Sequence, residues 1–419
     1  MKTFRRTFTA TALALAKPKT AKIGTPAKYL GRVSNNLSSG IVGLANVGKS
    51  TFFQAITKST IGNPANYPFA TIDPEEARIV VPSPKLDHLT SLYGSAKQVP
   101  VSLTIWDIAG LTRGASSGEG LGNKFLSDIR AVDGIYQVCR GFRDDEITHI
   151  EGSVDPVRDL TVVLDELLLK DLEFVEGAIE RCKKRVKGGN KNSPDRKSAE
   201  EELATLEKTE TWLSEGKRVA SKKDWTPEEI DILNIHTFLT AKPTVYLLNV
   251  NEGDYAAQTN EFSGEVQTWI DENSPGDRLM LFSAAFETQY NELAETPALQ
   301  QEYRDMYSGV DSVLPAIVAS MREVLHLISF YTCGPMEARQ WTIREAITTA
   351  PQAAGVIHTD LEKTFISATV TKWADLVKET APLNEAKLKN AGKIVKAGKG
   401  YIVEDGDVML VKAGSGKAR

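Results

Sequence analysis

Residues 43–50 read Gly43-Leu44-Ala45-Asn46-Val47-Gly48-Lys49-Ser50, followed by Thr51, and this stretch narrows the folds open to the chain more than any other. The pattern Gly-x-x-x-x-Gly-Lys-Ser/Thr needs a strand before it and a helix after it, because the backbone between must curl until successive N–H groups point at one spot. Ile41 and Val42 supply the strand end, and Phe52 and Phe53 open the apolar face of a helix. In such a loop Asn46, Val47, Gly48, Lys49, Ser50 and Thr51 surround phosphate oxygens. Main-chain N–H groups cradle them, the Lys49 ammonium reaches the outer phosphates, and the Ser50 hydroxyl ligates Mg²⁺. The motif implies an α/β chain that binds a nucleoside triphosphate.

The rest of the chain supports that class. Strand-like apolar runs at 40–44, 77–81, 101–106, 134–139, 244–250 and 278–283 alternate with helical stretches, the pattern of a mixed, mostly parallel sheet with helices on its faces. One interval, 154–225, carries no strand signal. Leu160, Val163, Leu164, Leu167, Leu168, Asp171, Phe174 and Ile179 recur there at helical spacing, and Leu203, Leu206 and Leu213 do so after a Gly188-Gly189-Asn190 turn. An inserted antiparallel helical hairpin is expected. From about residue 325 short strands broken by Gly, Pro and Asp turns predict a small α+β domain. The expected division is a basic N-terminal extension at 1–34, the sheet domain at 35–153 and 226–320, the helical insertion at 154–225 and the small domain at 325–412.

At 419 residues with 41% apolar content the chain suffices for two or three domains, and a net charge of −5 excludes a globally basic nucleic-acid binder. Cys139, Cys182 and Cys333 are too few and too scattered for a disulfide framework or a metal cluster. No apolar run approaches the roughly 20 residues needed to span a bilayer, so no membrane insertion is expected. The first 36 residues hold eight Lys or Arg and no acid, and the first carboxylate of the chain is Asp73. That composition predicts a mitochondrial transit peptide; a basic tail on a cytoplasmic protein is the alternative.

Further motifs extend the nucleotide reading. Asp107-Ile108-Ala109-Gly110 follows a strand, placing a carboxylate near Mg²⁺ and the Gly110 N–H near the terminal phosphate. Thr71, between the loop and this motif, is expected to offer a second hydroxyl to the metal, so Ser50, Thr71 and Asp107 form the expected metal set. Glycine-rich residues 114–122 then read as a switch loop. Leu111 stands where many such proteins place a water-orienting Gln, and its side chain orients nothing by hydrogen bonding. With Lys49 and Gly110 it makes up the expected catalytic group, and turnover is expected to be slow. Asn249-Val250-Asn251-Glu252 ends a strand where guanine readers carry Asn-Lys-x-Asp. Loss of the Lys and the Asp weakens guanine preference, leaving adenine to pair with a loop carbonyl and the Asn249 amide. Ser283 and Ala284 begin the loop expected to close over the base.

Taken together these segments resemble the Obg-like ATPases of the YchF type, within the translation-factor-related P-loop GTPases. The resemblance covers residues 35–411 and rests on the 43–51 loop, Phe69-Ala70-Thr71-Ile72-Asp73-Pro74, 107–111, 120–126 and 148–156. It continues in Pro351-Gln352-Ala353-Ala354-Gly355, Ile357-His358-Thr359-Asp360 and 401–407. It implies a G domain interrupted by a helical coiled coil, a C-terminal TGS domain, preference for ATP over GTP, and association with the ribosome or its RNA. Ala45 replaces the family's proline, and Asn-Val-Asn-Glu replaces an Asn-Met-Ser-Glu-like segment. Asn46 resembles the loop asparagine that ligates K⁺ in some relatives, which makes K⁺ a candidate second ion. The competing expectations are a GTPase in organellar ribosome assembly and a non-enzymatic scaffold stabilised by nucleotide.

Other features have plainer readings. Gly114-Ala115-Ser116-Ser117-Gly118 matches a hydrolase nucleophile elbow but lies too far beyond its strand. His88, His149, His236, His326 and His358 have no metal-ligand spacing. The basic run from Arg181 to Lys197 and the lysines at 387, 389, 393, 396 and 399 are either solvated faces or contacts to RNA phosphates. Oligomeric state is not encoded in any pattern found.

Overall fold

Strand β1 (Ser38–Val42) lies in the middle of a seven-stranded sheet and delivers the 43–50 loop to one edge of it. The computed structural model describes residues 28–31, 37–59, 72–73, 76–108, 110, 121–188 and 193–414. In the sheet, β1 pairs in parallel with β5 (Ser102–Asp107) on one side and β6 (Gly134–Arg140) on the other. Beyond β6 come β7 (Thr244–Asn249) and β8 (Arg278–Phe282), both parallel. Beyond β5 the antiparallel strands β3 (Glu76–Val80) and β2 (Ile72–Asp73) complete the order β2-β3-β5-β1-β6-β7-β8. Every residue of β6 and β7 is buried, as expected of parallel strands covered on both faces. Helix α1 (Lys49–Lys58) packs Phe52 and Ile56 into that core beside Ile41 and Phe282. The fold is α/β.

The helical interval is a hairpin of α4 (Pro156–Gly188) and α5 (Pro194–Ser214), which follow α2 (Pro84–Tyr93) and α3 (Leu121–Ala131) in chain order. Pro194 at the first position of α5 and the Ser193 side chain, which accepts from the Arg196 N–H, fix the start of the return helix. The apolar stripe of α4 begins inside the sheet domain, where Val162, Val163 and Leu167 join the core around β1. Asp171 falls on the same stripe yet is fully buried, because its carboxylate accepts the Leu239 N–H at 2.9 Å and the Thr240 N–H at 2.8 Å. No helix among the described residues is long and apolar enough to cross a membrane.

A second sheet forms from β9 (Leu327–Cys333), β10 (Glu337–Arg344), β11 (Phe365–Thr371), β12 (Ile394–Ala397) and β13 (Val408–Ala413). Its sixth strand comes from elsewhere. β4 (Lys97–Val99) pairs in parallel with β10, and the order is β12-β11-β13-β9-β10-β4. Helix α2 lies over the same sheet, with Leu86, Leu89 and Leu92 against Tyr331, Ala338 and Val408. Residues 84–99, which the division above gave to the nucleotide sheet, are thus built into the C-terminal one. The physical reason is the apolar face of α2, which the second sheet covers.

A second correction concerns the N-terminal extension, drawn at 1–34 as a segment separate from the sheet domain. Residues 28–31 are docked. Lys28 forms an ion pair with Asp231 and the Gly31 N–H donates to the Asn234 Oδ1 at 2.8 Å. The Asn234 amide donates in turn to the Tyr29 carbonyl at 3.0 Å, and the Tyr29 ring stacks on His326 at 4.1 Å.

Candidate functional site

The loop after β1 turns through two left-handed residues, Asn46 at φ 63° and Gly48 at φ 99°, before α1 begins. At residue 48 glycine is required twice over. The backbone conformation disfavours a side chain, and a Cβ there would lie 2.3 Å from the Asn249 Nδ2. No side chain caps the N-terminus of α1 and no acid stands in its first turn, so its N–H groups remain directed at the loop. Lys49 is only 7% exposed, and its Nζ donates to the Leu44 carbonyl at 2.6 Å. Burial lowers its pKa to about 8, against the opposing effect of the Asp107 carboxylate. The ammonium is held over the loop, and Gly110 lies beside it: a Cβ on Gly110 would approach the Lys49 Nζ to 3.0 Å.

These residues border a cavity of about 620 Å³. Asn46, Gly48, Lys49, Ser50 and Thr51 line one part of it. Asn249, Val250, Asn251 and Glu252, from the end of β7, and Ala284 and Ala285, after β8, line another. Helix α6 (Pro227–His236) precedes β7, and α7 (Glu252–Ala257) follows it, with the Asn251 Oδ1 capping the Asp254 N–H at 2.8 Å. The Glu252 carboxylate therefore stands at the first turn of α7, on the cavity wall. After α8 (Ser263–Asn273) and β8, the chain enters α9 (Ala284–Glu292).

Three of the expected site residues have positions that change their reading. Asn249 is 3% exposed, and both ends of its amide are engaged: Nδ2 donates to the Val47 carbonyl at 3.0 Å and Oδ1 accepts the Ala284 N–H at 3.0 Å. It ties the three loops together, and its second N–H and second oxygen lone pair are what it has left to offer a base on the cavity side. Val47 is fully buried and contributes that carbonyl. Ser283 is also fully buried; its Oγ accepts the Phe286 N–H at 3.2 Å as the cap of α9. A helix that starts here uses the hydroxyl for its own first turn. Thr71, Leu111 and the 114–120 stretch lie outside the described residues.

Asp107 ends β5 in register with Ile41, so its carboxylate stands beside the entrance to the loop. Its charge acts on the buried Lys49 ammonium, Ser50 is exposed on the cavity wall, and hydroxyl and carboxylate oxygens are donors that suit Mg²⁺ and not a soft metal. Asn46 is partly committed: its Nδ2 donates to the Thr148 carbonyl at 3.1 Å, leaving the Oδ1 for any ion.

One wall went unread in the sequence. Phe142, Arg143, Asp144 and Ile147 line the cavity between the 43–51 loop and the end of β7. Their signal is Arg140, the one charged residue of β6, which it closes.

A buried lysine, uncapped helix N–H groups and the Ser50 hydroxyl at one end of a nucleotide-sized cavity, with the Asp107 carboxylate acting on that lysine, define a P-loop nucleoside triphosphatase. Comparisons agree. The family described as 50S ribosome-binding GTPase matches residues 38–167, and the YchF GTPase C-terminal family, described as a protein of unknown function (DUF933), matches 327–414. An Obg-like ATPase homolog of Saccharomyces cerevisiae is 55% identical over 406 residues, 95% of this chain and 99% of that protein. Obg-like ATPase 1 of the same yeast is 51% identical over 389 residues, covering 93% and 96%. The solved YchF GTPase of Schizosaccharomyces pombe superposes with a TM-score of 0.81 at 48% identity, covering 92% of this chain and all of that one. The chain belongs to the Obg-like ATPase (YchF) family.

Proposed function

We propose that this nucleotide hydrolase is a Mg²⁺-dependent ATPase switch that prefers ATP to GTP, turns over slowly, and acts on the ribosome or its RNA. The observation that carries the reading is a single cavity lined jointly by the phosphate loop and by the loops after β7 and β8. Lys49 and the N–H groups of the loop and of α1 neutralise and orient the phosphates, which is most of what phosphoryl transfer to water requires. Mg²⁺, when bound through Ser50 and Asp107, supplies further charge neutralisation at the outer phosphates. Because one N–H and one lone pair of the Asn249 amide are engaged, base discrimination is shared between what remains of that amide, the main chain of 250–252 and 284–285, and Glu252. Val250, at the place of a guanine reader's lysine, is buried and its N–H donates to the Phe282 carbonyl at 2.9 Å. K⁺ as a second ion would use the remaining Asn46 oxygen.

The ribosome part rests on the basic hairpin. Lys183, Arg185 and Arg196 pair with Glu207, Glu202 and Glu200 of α5, and exposed pairs of this kind are weak enough to yield to phosphates. A mitochondrial location rests on the acid-free basic N-terminus alone.

Calorimetric titration of the full chain with Mg²⁺ and non-hydrolysable ATP and GTP analogues tests the reading. Tighter ATP binding supports it. Tighter GTP binding returns the chain to a guanine-specific switch, with Glu252 in the place of the usual Asp, and binding of neither removes the nucleotide reading itself.

A further inference from the structure

Among the described residues Arg140 heads the largest side chains with almost no exposure, at 1%; its N–H groups are spent on main-chain oxygens, and the Asp144 and Asp159 carboxylates act on its charge. The Nε donates to the Phe142 carbonyl at 3.1 Å, Nη2 to the Asp144 carbonyl at 3.0 Å and Nη1 to the Ile147 carbonyl at 2.9 Å. The guanidinium also lies over the Phe142 ring, 4.5 Å from its centroid. Burying an arginine is expensive, and the carbonyls of an irregular surface loop can be satisfied by water without one.

What the three bonds achieve is a shape. Residues 141–149 contain no helix or strand; within the loop the Glu146 N–H donates to the Asp144 Oδ1 at 2.9 Å, and the remaining ties come from outside it. Arg140 gathers the carbonyls of 142, 144 and 147, and Asn46 holds the next one, that of Thr148. Phe142, Arg143, Asp144 and Ile147 are the cavity wall. Because β6 pairs with β7 in parallel, with Arg140 opposite Asn249, the loop after β6 emerges beside the loop after β7. The wall therefore stands between the 43–51 loop, which builds the triphosphate end and meets it through Asn46, and the loop after β7, at the end where a nucleoside would lie.

We propose that Arg140 is a positioning residue for nucleotide binding: it sets the 142–147 wall and so controls affinity for the nucleoside part of the ligand, leaving triphosphate affinity to the phosphate loop. The proposal rests on the reading that this cavity holds a nucleotide.

The test compares the wild-type full chain with Arg140→Met and Arg140→Lys, titrated with a non-hydrolysable ATP analogue and with inorganic tripolyphosphate, each with Mg²⁺. Arg140→Met keeps the length and apolar stem and loses all three bonds; a lysine reaches fewer of the carbonyls. The expected result is an ATP-analogue affinity weakened about 10- to 100-fold in the methionine variant and less in the lysine variant, with tripolyphosphate affinity unchanged within about twofold. Equal losses for both probes, or an unchanged ATP-analogue affinity, overturn the proposal. If Arg140→Met does not fold, as judged by its thermal transition, the lysine variant decides on the same two probes. If neither variant folds, Arg140 acts in folding and the proposal is overturned. A wild-type chain that binds no ATP analogue refutes the nucleotide reading instead, which separates the two failures.

Discussion

The Asn249 side-chain nitrogen lies 2.3 Å from the point that a Cβ on Gly48 would occupy, so the glycine of the phosphate loop and the asparagine ending β7 are fitted to each other. Through that contact one amide joins the loops after β1, β7 and β8. The phosphate and base ends of the cavity are thereby held in one geometry.

Replacing Asn249 with Ala leaves the Val47 carbonyl and the Ala284 N–H without their partner in a buried place, which costs about 1–3 kcal/mol of stability. It also frees the phosphate loop from its brace, so nucleotide affinity should fall about tenfold or more. Gly48→Ala is expected to be worse for binding, since it strains the backbone and displaces the amide together. Urea denaturation and calorimetry on both variants check this, and an Asn249→Ala chain that binds ATP like the wild type would show that the amide is not the brace.

The docked segment makes a prediction about chain length. A chain beginning at residue 32 lacks the Tyr29–His326 stack, the Leu30 contact and the two hydrogen bonds with Asn234 that a chain beginning at residue 28 keeps. The shorter chain is expected to be less stable by about 1–3 kcal/mol. The exposed Lys28–Asp231 pair contributes little to that difference. Identical melting of the two chains would place residues 28–31 outside the fold after all.

Because α2 and β4 belong to the C-terminal sheet, a core truncation in α2 should be felt there. Leu89 is fully buried against that sheet, and Leu89→Ala is expected to cost about 2–5 kcal/mol. Hydrogen exchange then locates the damage: protection should fall in β9 and β10 before it falls in β1 and β6. Loss centred on β1 would mean that residues 84–99 are bound to the nucleotide sheet.

That segment also marks where the sequence stops being readable. The β1–loop–α1 unit is local, so its residues announce it, and the long apolar stripe of α4 does the same for the hairpin. β4 is three residues long and finds its partner far along the chain, so nothing near Lys97 encodes the pairing. Asn249 was visible as a site residue but not as a brace, because that role needs three loops converging on one amide. Ser283 looked like a cavity residue until the start of α9 claimed its hydroxyl. The 142–147 wall was hidden for a similar reason: an arginine ending an apolar strand reads as a surface charge until three carbonyls are seen around it.

Glu287 offers a prediction with a sign. It lies in the first turn of α9, fully buried, accepting the Val313 N–H at 2.8 Å and the Ser312 hydroxyl at 2.6 Å. Burial raises its pKa from 4.5 to about 7 despite those two donors. Below pH 4.5 the side chain is protonated whether the chain is folded or not. Between pH 4.5 and 7 the folded chain retains a proton that the unfolded chain has released, so stability falls as pH rises through this window. Above pH 7 the loss is complete, and at about 1.4 kcal/mol per unit it is on the order of 3–4 kcal/mol at most. Glu287→Gln carries no titrating group, keeps an acceptor for Val313 and offers Ser312 a donor. The glutamine variant should match the wild type near pH 4.5 and exceed it at pH 8 by about 1–3 kcal/mol, the difference opening between pH 5 and 7. Urea denaturation of both chains across that range measures the difference directly, with the other titrating groups cancelling. A difference that stays constant with pH would mean that Glu287 is ionised in the folded chain throughout, its two hydrogen bonds outweighing its burial.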